Sequence, residues 1–322
     1  MKILFGKCFG IGNAVMAIPV LKALRSLDPT GRLDVLVGST HDDSGAAEVM
    51  SYLRPDTIDH LYLDHALAQD NIGSIKEYDL AIMSIPFDGR WKNGQHFCAK
   101  RVIDGRTRPD PSTTGLVSWK KHETDYQMDI VQKIADDNFS AHVIHEFDSS
   151  FFPRNLFPQS FDASFFPNKK NFYLGVGYKK DAAGFWKVKH WGNENYVKLI
   201  KSLLEKDLCD RVFVTGDRMD FTSSIAPIMR GLGIQEKRFV YVPVDSLDES
   251  FRVIAGCGTY VGNDTGMMHV AASMGLSVVA PFFIENSITK SSPRCSRSIS
   301  IDGVNREVTV QEFIDCIREV NS

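Results

Sequence analysis

The run that decides the fold is Asn263-Asp264-Thr265-Gly266-Met267-Met268-His269-Val270-Ala271-Ala272-Ser273-Met274-Gly275. It reads as a strand end turning into a capped helix. Thr259-Tyr260-Val261 before it is β-prone, Asp264 or Thr265 can cap the helix, and Gly275 closes it before the apolar run 277–283. A helix start of this kind presents unpaired backbone N–H groups and partial positive charge, which suit a diphosphate. The same residues also serve as an ordinary strand-turn-helix of an α/β protein.

On either side of this run, short β runs alternate with amphipathic stretches. In the first half the strand candidates are 3–8, 33–38, 60–63 and 80–86, with a helix over 13–27 after the first. Val15, Ile18, Leu21 and Leu24 put one apolar stripe on that helix, Lys22 and Arg25 lie towards water, and Pro19 removes a hydrogen bond and bends it. A second set comprises 172–177, 211–216, 238–243, 259–262 and 277–283. Strands spaced by helix-sized intervals imply parallel sheets with crossover helices. Helices are also expected over 122–137 and 308–320.

Between the two sets, residues 147–170 hold Pro153, Pro158 and Pro167 among seven phenylalanines, without helical or strand periodicity. This reads as a packed linker, with an aromatic platform for a ligand as the other reading. The expected division is therefore a first α/β domain over 1–150, a Phe/Pro-rich linker over 151–170, a second α/β domain over 171–305 and a closing helix over 306–322.

Composition narrows the function classes. At 322 residues the chain can bury two cores, and a hydrophobic share of 43% marks a globular protein. A formal net charge of -3 gives no general attraction to nucleic acid, which excludes it as the expected partner. The six cysteines form no Cys-x-x-Cys pair, so a reduced, cytoplasmic protein is expected rather than a zinc ribbon or disulfide framework. The apolar stretch 14–21 is too short to span a bilayer and lacks a cleavage pattern. At most a peripheral contact with the inner face of a membrane is expected.

Three runs carry a family resemblance: Asn263-Asp264-Thr265-Gly266-x-x-His269-x-Ala271-Ala272; Gly10-Ile11-Gly12-Asn13-Ala14-Val15-Met16-Ala17-x-Pro19-x-Leu21-x-Ala23-Leu24; and Lys189-His190-Trp191 followed by Asn195-Tyr196. In this order they resemble the bacterial heptosyltransferases of glycosyltransferase family nine. The resemblance implies a GT-B-like fold, two doubly wound, parallel-sheet (Rossmann-like) α/β domains facing a cleft. It also implies a nucleotide-sugar donor, ADP-linked by preference, a glycan or glycolipid acceptor such as a lipopolysaccharide core, and no resident cofactor. In similar proteins the closing helix folds back across to the first domain.

The resemblance assigns site residues. Gly12, Lys189, Asp264, Thr265, Gly266 and His269 are expected at the donor, with Asp264 touching sugar hydroxyls and Asp217 as the ribose candidate. Asp264 as its own helix cap and His269 as a core histidine are the other readings. The leaving diphosphate needs fixed dipoles or a cation, which Thr265, Gly266 and Lys189 can supply. No Asp-x-Asp pair occurs in the sequence, so a metal-free reaction is expected.

The chain departs from the family at Asn13, where an aspartate acts as general base. An amide can orient a hydroxyl but cannot take its proton. His41, Asp42 and Asp43 are candidate replacements, or simply a polar turn. Two function classes remain: an inverting glycosyltransferase, or a catalytically silent sugar-nucleotide-binding or scaffolding protein. A dehydrogenase is a distant third, because Val15 stands where the dinucleotide fingerprint has its third glycine. Acceptor contacts are expected from the basic stretch 88–111, which contains Arg90, Lys92, Lys100, Arg101, Arg106 and Arg108.

Overall fold

The computed structural model describes residues 1–8, 10–38, 44–53, 56–63, 76–83, 97–104, 121–139, 168, 170–177, 188–233 and 237–322. The chain divides into two compact units, Met1–Phe147 and Asp148–Ser322. All but two residues of the expected linker (168 and 170) lie outside the described residues.

The first unit runs β1 (Lys2–Cys8), α1 (Ile11–Leu27), β2 (Arg32–Gly38), α2 (Ser44–Ser51), β3 (His60–Leu63), β4 (Lys76–Met83), β5 (Phe97–Asp104) and α3 (Glu123–Asn138). Its sheet has the order β3-β2-β1-β4-β5 and every pairing is parallel. Because β1 pairs with both β2 and β4, the winding reverses beside it, and ligands of such sheets lie beyond the strand ends at that point.

Three expectations change here. The helix α1 is buried on more than one stripe, with Met16, Ala17, Pro19 and Val20 also inside, since both α2 and α3 pack on it. Arg25 is not simply directed to water. Its guanidinium donates to the carbonyls of Thr57 (2.9 Å) and Gly31 (2.6 Å) and pairs with Asp59 at 2.5 Å, tying together the turns that lead into β2 and β3. Residues 97–104, read as part of a basic acceptor loop, form the edge strand β5, where Lys100 pairs with Asp79 (2.7 Å) and Arg101 with Asp137 (2.8 Å). These two cations are committed to neighbouring carboxylates. The other four basic residues of that stretch lie outside the described residues.

The second unit runs β6 (Asn171–Gly175), α4 (Asn193–Glu205), β7 (Arg211–Gly216), α5 (Arg218–Asp220), a π-helical turn (Phe221–Ile225), α6 (Ala226–Leu232), β8 (Phe239–Pro243), α7 (Leu247–Ala255), β9 (Thr259–Gly262), α8 (Gly266–Ser273), β10 (Ser277–Phe282), α9 (Ser287–Ser291), β11 (Ser298–Asp302) and α10 (Val310–Asn321). The sheet order is β11-β10-β9-β6-β7-β8, again parallel throughout. Every residue of β6, β9 and β10 is buried, as expected of central parallel strands covered on both faces. The winding reverses between β6 and β9.

The closing helix α10, expected to cross to the first domain, buries Phe313, Ile314, Ile317 and Val320 in the core of the second unit. Its end is fastened to the central strands, where Ser277 Oγ donates to Val320 O (3.3 Å) and Thr259 Oγ1 to Asn321 Oδ1 (3.1 Å). Among the described residues no helix is long and apolar enough to cross a membrane.

Candidate functional site

At the switch point of the second sheet, β6 ends at Gly175 and β9 at Gly262, paired in register. Gly262 has φ 148°, and a Cβ on it would run into the backbone of Gly175. A Cβ on Gly175 would strike the phenol of Tyr260. Two glycines at these positions let the strand ends and that ring occupy one small volume.

Asn263, the next residue, is fully buried at 0% exposure and holds the site together. Its backbone N–H donates to Gly175 O (2.8 Å), and its Nδ2 donates to Val176 O (3.1 Å) and Gly177 O (3.3 Å). Its Oδ1 accepts from Trp191 N (3.2 Å) and from the Tyr196 hydroxyl (2.5 Å). One amide thus joins the exit of β6, the loop carrying Lys189 and the first turn of α4. Burial raises the Tyr196 phenol well above its ordinary value, so it stays a neutral donor.

Trp191 anchors the Lys189 loop. Its indole Nε1 donates to Val308 O (3.0 Å), and its ring packs on Phe313 of α10 (4.8 Å between centroids) and edge-on to Tyr196 (5.3 Å). Two residues earlier, Lys189 Nζ lies 2.5 Å from Asp264 Oδ2. Their side chains are 19% and 6% exposed, so this is a largely desolvated ion pair.

The expected capping by Asp264 or Thr265 is corrected. Thr265 occupies the N-cap position of α8 with no side-chain cap bond, and its hydroxyl meets the Tyr260 hydroxyl at 3.2 Å. Asp264 spends its carboxylate on Lys189 instead. The first amides of α8, at Gly266 and Met267, therefore have no side-chain cap, while Met268 N turns back to Thr265 O (3.1 Å). His269, one turn in, is buried at 6% exposure.

At the exit of β7, Asp217 caps its own short helix, accepting from Met219 N (2.7 Å) and Asp220 N (2.8 Å). The π-helical turn then reaches the Lys189 loop, with Ser223 O accepting from Asn193 Nδ2 (3.2 Å) and Ser224 Oγ lying 3.4 Å from His190 Nε2. His190 Nδ1 accepts from Gly192 N (3.0 Å), which puts the proton of the neutral ring on Nε2. The structure thus brings Lys189, Asp264, Thr265 and Gly266 to adjacent strand exits, with Asp217 at the next exit along the sheet.

In the first unit, Gly10 (φ 77°) is the N-cap residue of α1, and its carbonyl accepts from Ala14 N (3.2 Å). Gly12 and Asn13 lie half-buried in the first turn, at the switch point of that sheet. His41, Asp42 and Asp43 lie outside the described residues. At the second turn of α1, Thr124 Oγ1 donates to Met16 O (3.1 Å), which brings buried His122 and Glu123 there. The sequence did not single out these two, and it showed Asn263, Tyr260 and Tyr196 only as members of their runs, with no role of their own. Only the motifs around the latter three were a signal. Among the described residues no group of three or more His, Cys, Asp or Glu side chains is arranged to hold a metal ion.

Comparison with known proteins fits this geometry. The pattern of glycosyltransferase family 9 (heptosyltransferase) matches residues 161–290, which include β6 to β10 and the whole Lys189 to His269 constellation. Solved structures extend the fold similarity to the whole chain. E. coli heptosyltransferase WaaC with ADP-2-deoxy-2-fluoro heptose aligns with TM-score 0.70 at 15% identity, covering 100% of each chain. E. coli ADP-heptose lps heptosyltransferase II aligns with TM-score 0.63 at 18% identity, covering 99% of this chain and 98% of its own. A family 9 glycosyl transferase from Veillonella parvula DSM 2008 aligns with TM-score 0.67 at 13% identity, covering 99% and 96%. The fold is therefore GT-B-like, with a parallel-sheet α/β unit in each half. No curated protein sequence matches the chain. The family 9 match supports glycosyltransferase activity.

Proposed function

We propose that the protein is an inverting glycosyltransferase that moves a sugar, heptose in the first instance, from an ADP-linked donor to a lipopolysaccharide core or another glycan. The observation that carries this reading is the convergence of the Lys189 ammonium with the uncapped start of α8 at the reversal point of the second sheet. WaaC has been solved with an ADP-linked heptose analogue, which supports the choice of donor.

Transfer breaks the bond between the anomeric carbon and a phosphate oxygen, and negative charge grows on the departing diphosphate. The amides of Gly266 and Met267 offer fixed positive dipoles there, and the Lys189 ammonium, passing from Asp264 to the diphosphate as the donor binds, adds a cation in place of a divalent ion. In this reading Asp264, paired with Lys189 in the structure, turns to the sugar hydroxyls, and Asp217, which caps α5, is the ribose candidate. The acceptor hydroxyl attacks from the opposite face in one displacement, giving up its proton to water as the diphosphate departs, which inverts the anomeric centre. The protein works in the cytoplasm, meeting the membrane at most peripherally.

A second reading rests on one observation. Asn13, in the first turn of α1, has no basicity, and general-base assistance is worth about 10² to 10⁴ in rate. A protein that binds nucleotide sugar without transferring it would retain everything else. Incubating the full chain with radiolabelled ADP-linked and UDP-linked sugars and a deacylated core oligosaccharide separates the two. Release of nucleotide with a labelled glycan supports transfer, binding without turnover supports the silent reading, and no binding to any donor defeats both.

A further inference from the structure

The ion pair at the site has a consequence for what can bind. Lys189 Nζ and Asp264 Oδ2 are 2.5 Å apart, the carboxylate is almost wholly buried, and α8 begins two residues later without a side-chain cap. Two elements that attract an anion, an ammonium and a helix start, thus share one strand exit with a carboxylate that repels it. A bare anion reaching the ammonium must draw it away from Asp264 or share it. Either leaves a buried carboxylate facing negative charge, which is costly away from water. A ligand whose phosphate continues into a group rich in hydroxyls avoids that cost, because neutral O–H donors replace the ammonium on the displaced carboxylate.

We propose that Asp264 makes the site sort ligands by the group esterified to the diphosphate: it retains the sugar-bearing donor and disfavours the free nucleoside diphosphate left after transfer. The inference rests on the donor-site reading above. The product differs from the donor in two respects, and both act in the same direction. It lacks the hydroxyls that would satisfy Asp264, and its terminal phosphate carries additional negative charge near neutral pH. Lys189 supports both states of the site, held by Asp264 before the donor arrives and by the diphosphate afterwards. Trp191 and Asn263 keep its loop in place in each.

The test is titration calorimetry on the full chain at neutral pH with four probes, ADP, UDP, ADP-glucose and UDP-glucose. The proteins are wild type, Asp264→Asn, Lys189→Gln and the double variant, each checked for folding by its melting curve. Wild type is expected to bind a nucleotide sugar at least about tenfold more tightly than the matching diphosphate. Asp264→Asn is expected to invert that order, gaining about tenfold for the diphosphate, about 1.4 kcal/mol, while losing affinity for the sugar ester. The gain should vanish in the double variant, where no ammonium remains to be released. Should Asp264→Asn not fold, Lys189→Gln alone decides, and it is expected to weaken diphosphate more than sugar ester. Equal effects of a substitution on both ligand types overturn this inference and leave the donor site standing. If no probe binds any of the four proteins, the donor-site reading fails and this inference with it.

Discussion

Replacing Asn263 by alanine is the sharpest perturbation of the site that avoids its charged groups. The substitution removes two donated hydrogen bonds, to Val176 O and Gly177 O, and two accepted ones, from Trp191 N and the Tyr196 hydroxyl, all in a fully buried setting. A typical intramolecular hydrogen bond contributes about 1 kcal/mol net, and a partner left buried and unsatisfied costs about 1–3 kcal/mol. Admitted water will recover part of this, so the expected loss is about 3–5 kcal/mol. Tyr196→Phe removes only one of the bonds and is expected to cost about 1 kcal/mol. On the Asn263→Ala background the same change should cost close to nothing, giving a coupling of about 1 kcal/mol. The assay is urea unfolding of the four proteins of this cycle, followed by tryptophan fluorescence, with unchanged slopes as the condition for comparison. A loss below about 1 kcal/mol for Asn263→Ala, or no coupling, would refute the view that this amide fastens the Lys189 loop to the β6 and β9 exits.

Other consequences are equally open to measurement. Gly262→Ala, at φ 148° and against the Gly175 backbone, is expected to lose at least about 3 kcal/mol, and wild-type stability in urea would contradict the close approach. Asn13→Asp is expected to raise turnover by about tenfold or more if the base position is merely vacated; a fall in turnover would show that the amide has its own task. The guanidinium of Arg306, bonded to both Glu312 oxygens at 3.0 and 2.7 Å, holds that carboxyl below its ordinary 4.5. A carboxyl depressed in the folded state adds stability above its unfolded value and loses it as pH falls through the folded one. Glu312→Gln should therefore lower the melting temperature at pH 7, and the gap to wild type should begin to close near pH 4.5 and vanish below the lower folded value, whereas a gap that persists in stronger acid would exclude the charge as its source.

Much of this architecture was legible because the buried parallel strands are plain apolar runs. Leu33–Gly38, Thr259–Gly262 and Ser277–Phe282 stand out by composition, and the glycines after β1 and β9 mark where winding reverses. Two edge strands were legible too, β3 as 60–63 and β8 as 238–243, but β5 and β11 were not. β5 interleaves Lys100 and Arg101 with Val102, and β11 reads Ser-Ile-Ser-Ile-Asp, so half-exposed faces look like loop. The residues of the donor motif were also legible, but not their pairings. Lys189 meets Asp264 75 positions away, and Asn263 meets Trp191 and Tyr196 72 and 67 positions away. Such contacts are set by strand order, which no local pattern encodes. Asp34 illustrates the same limit from the first unit: a carboxylate at 0% exposure, bonded by Tyr78 (2.5 Å) and Arg32 (2.9 Å), looks in sequence like any polar residue of a half-buried strand.

A crystal structure of the full chain grown with an ADP-linked sugar tests the central claim directly. The account predicts diphosphate oxygens within hydrogen-bonding distance of the Gly266 and Met267 amides and of Lys189 Nζ, with Asp264 turned to the sugar. A nucleotide seated elsewhere, with Lys189 still paired to Asp264 and the start of α8 bare, would contradict it.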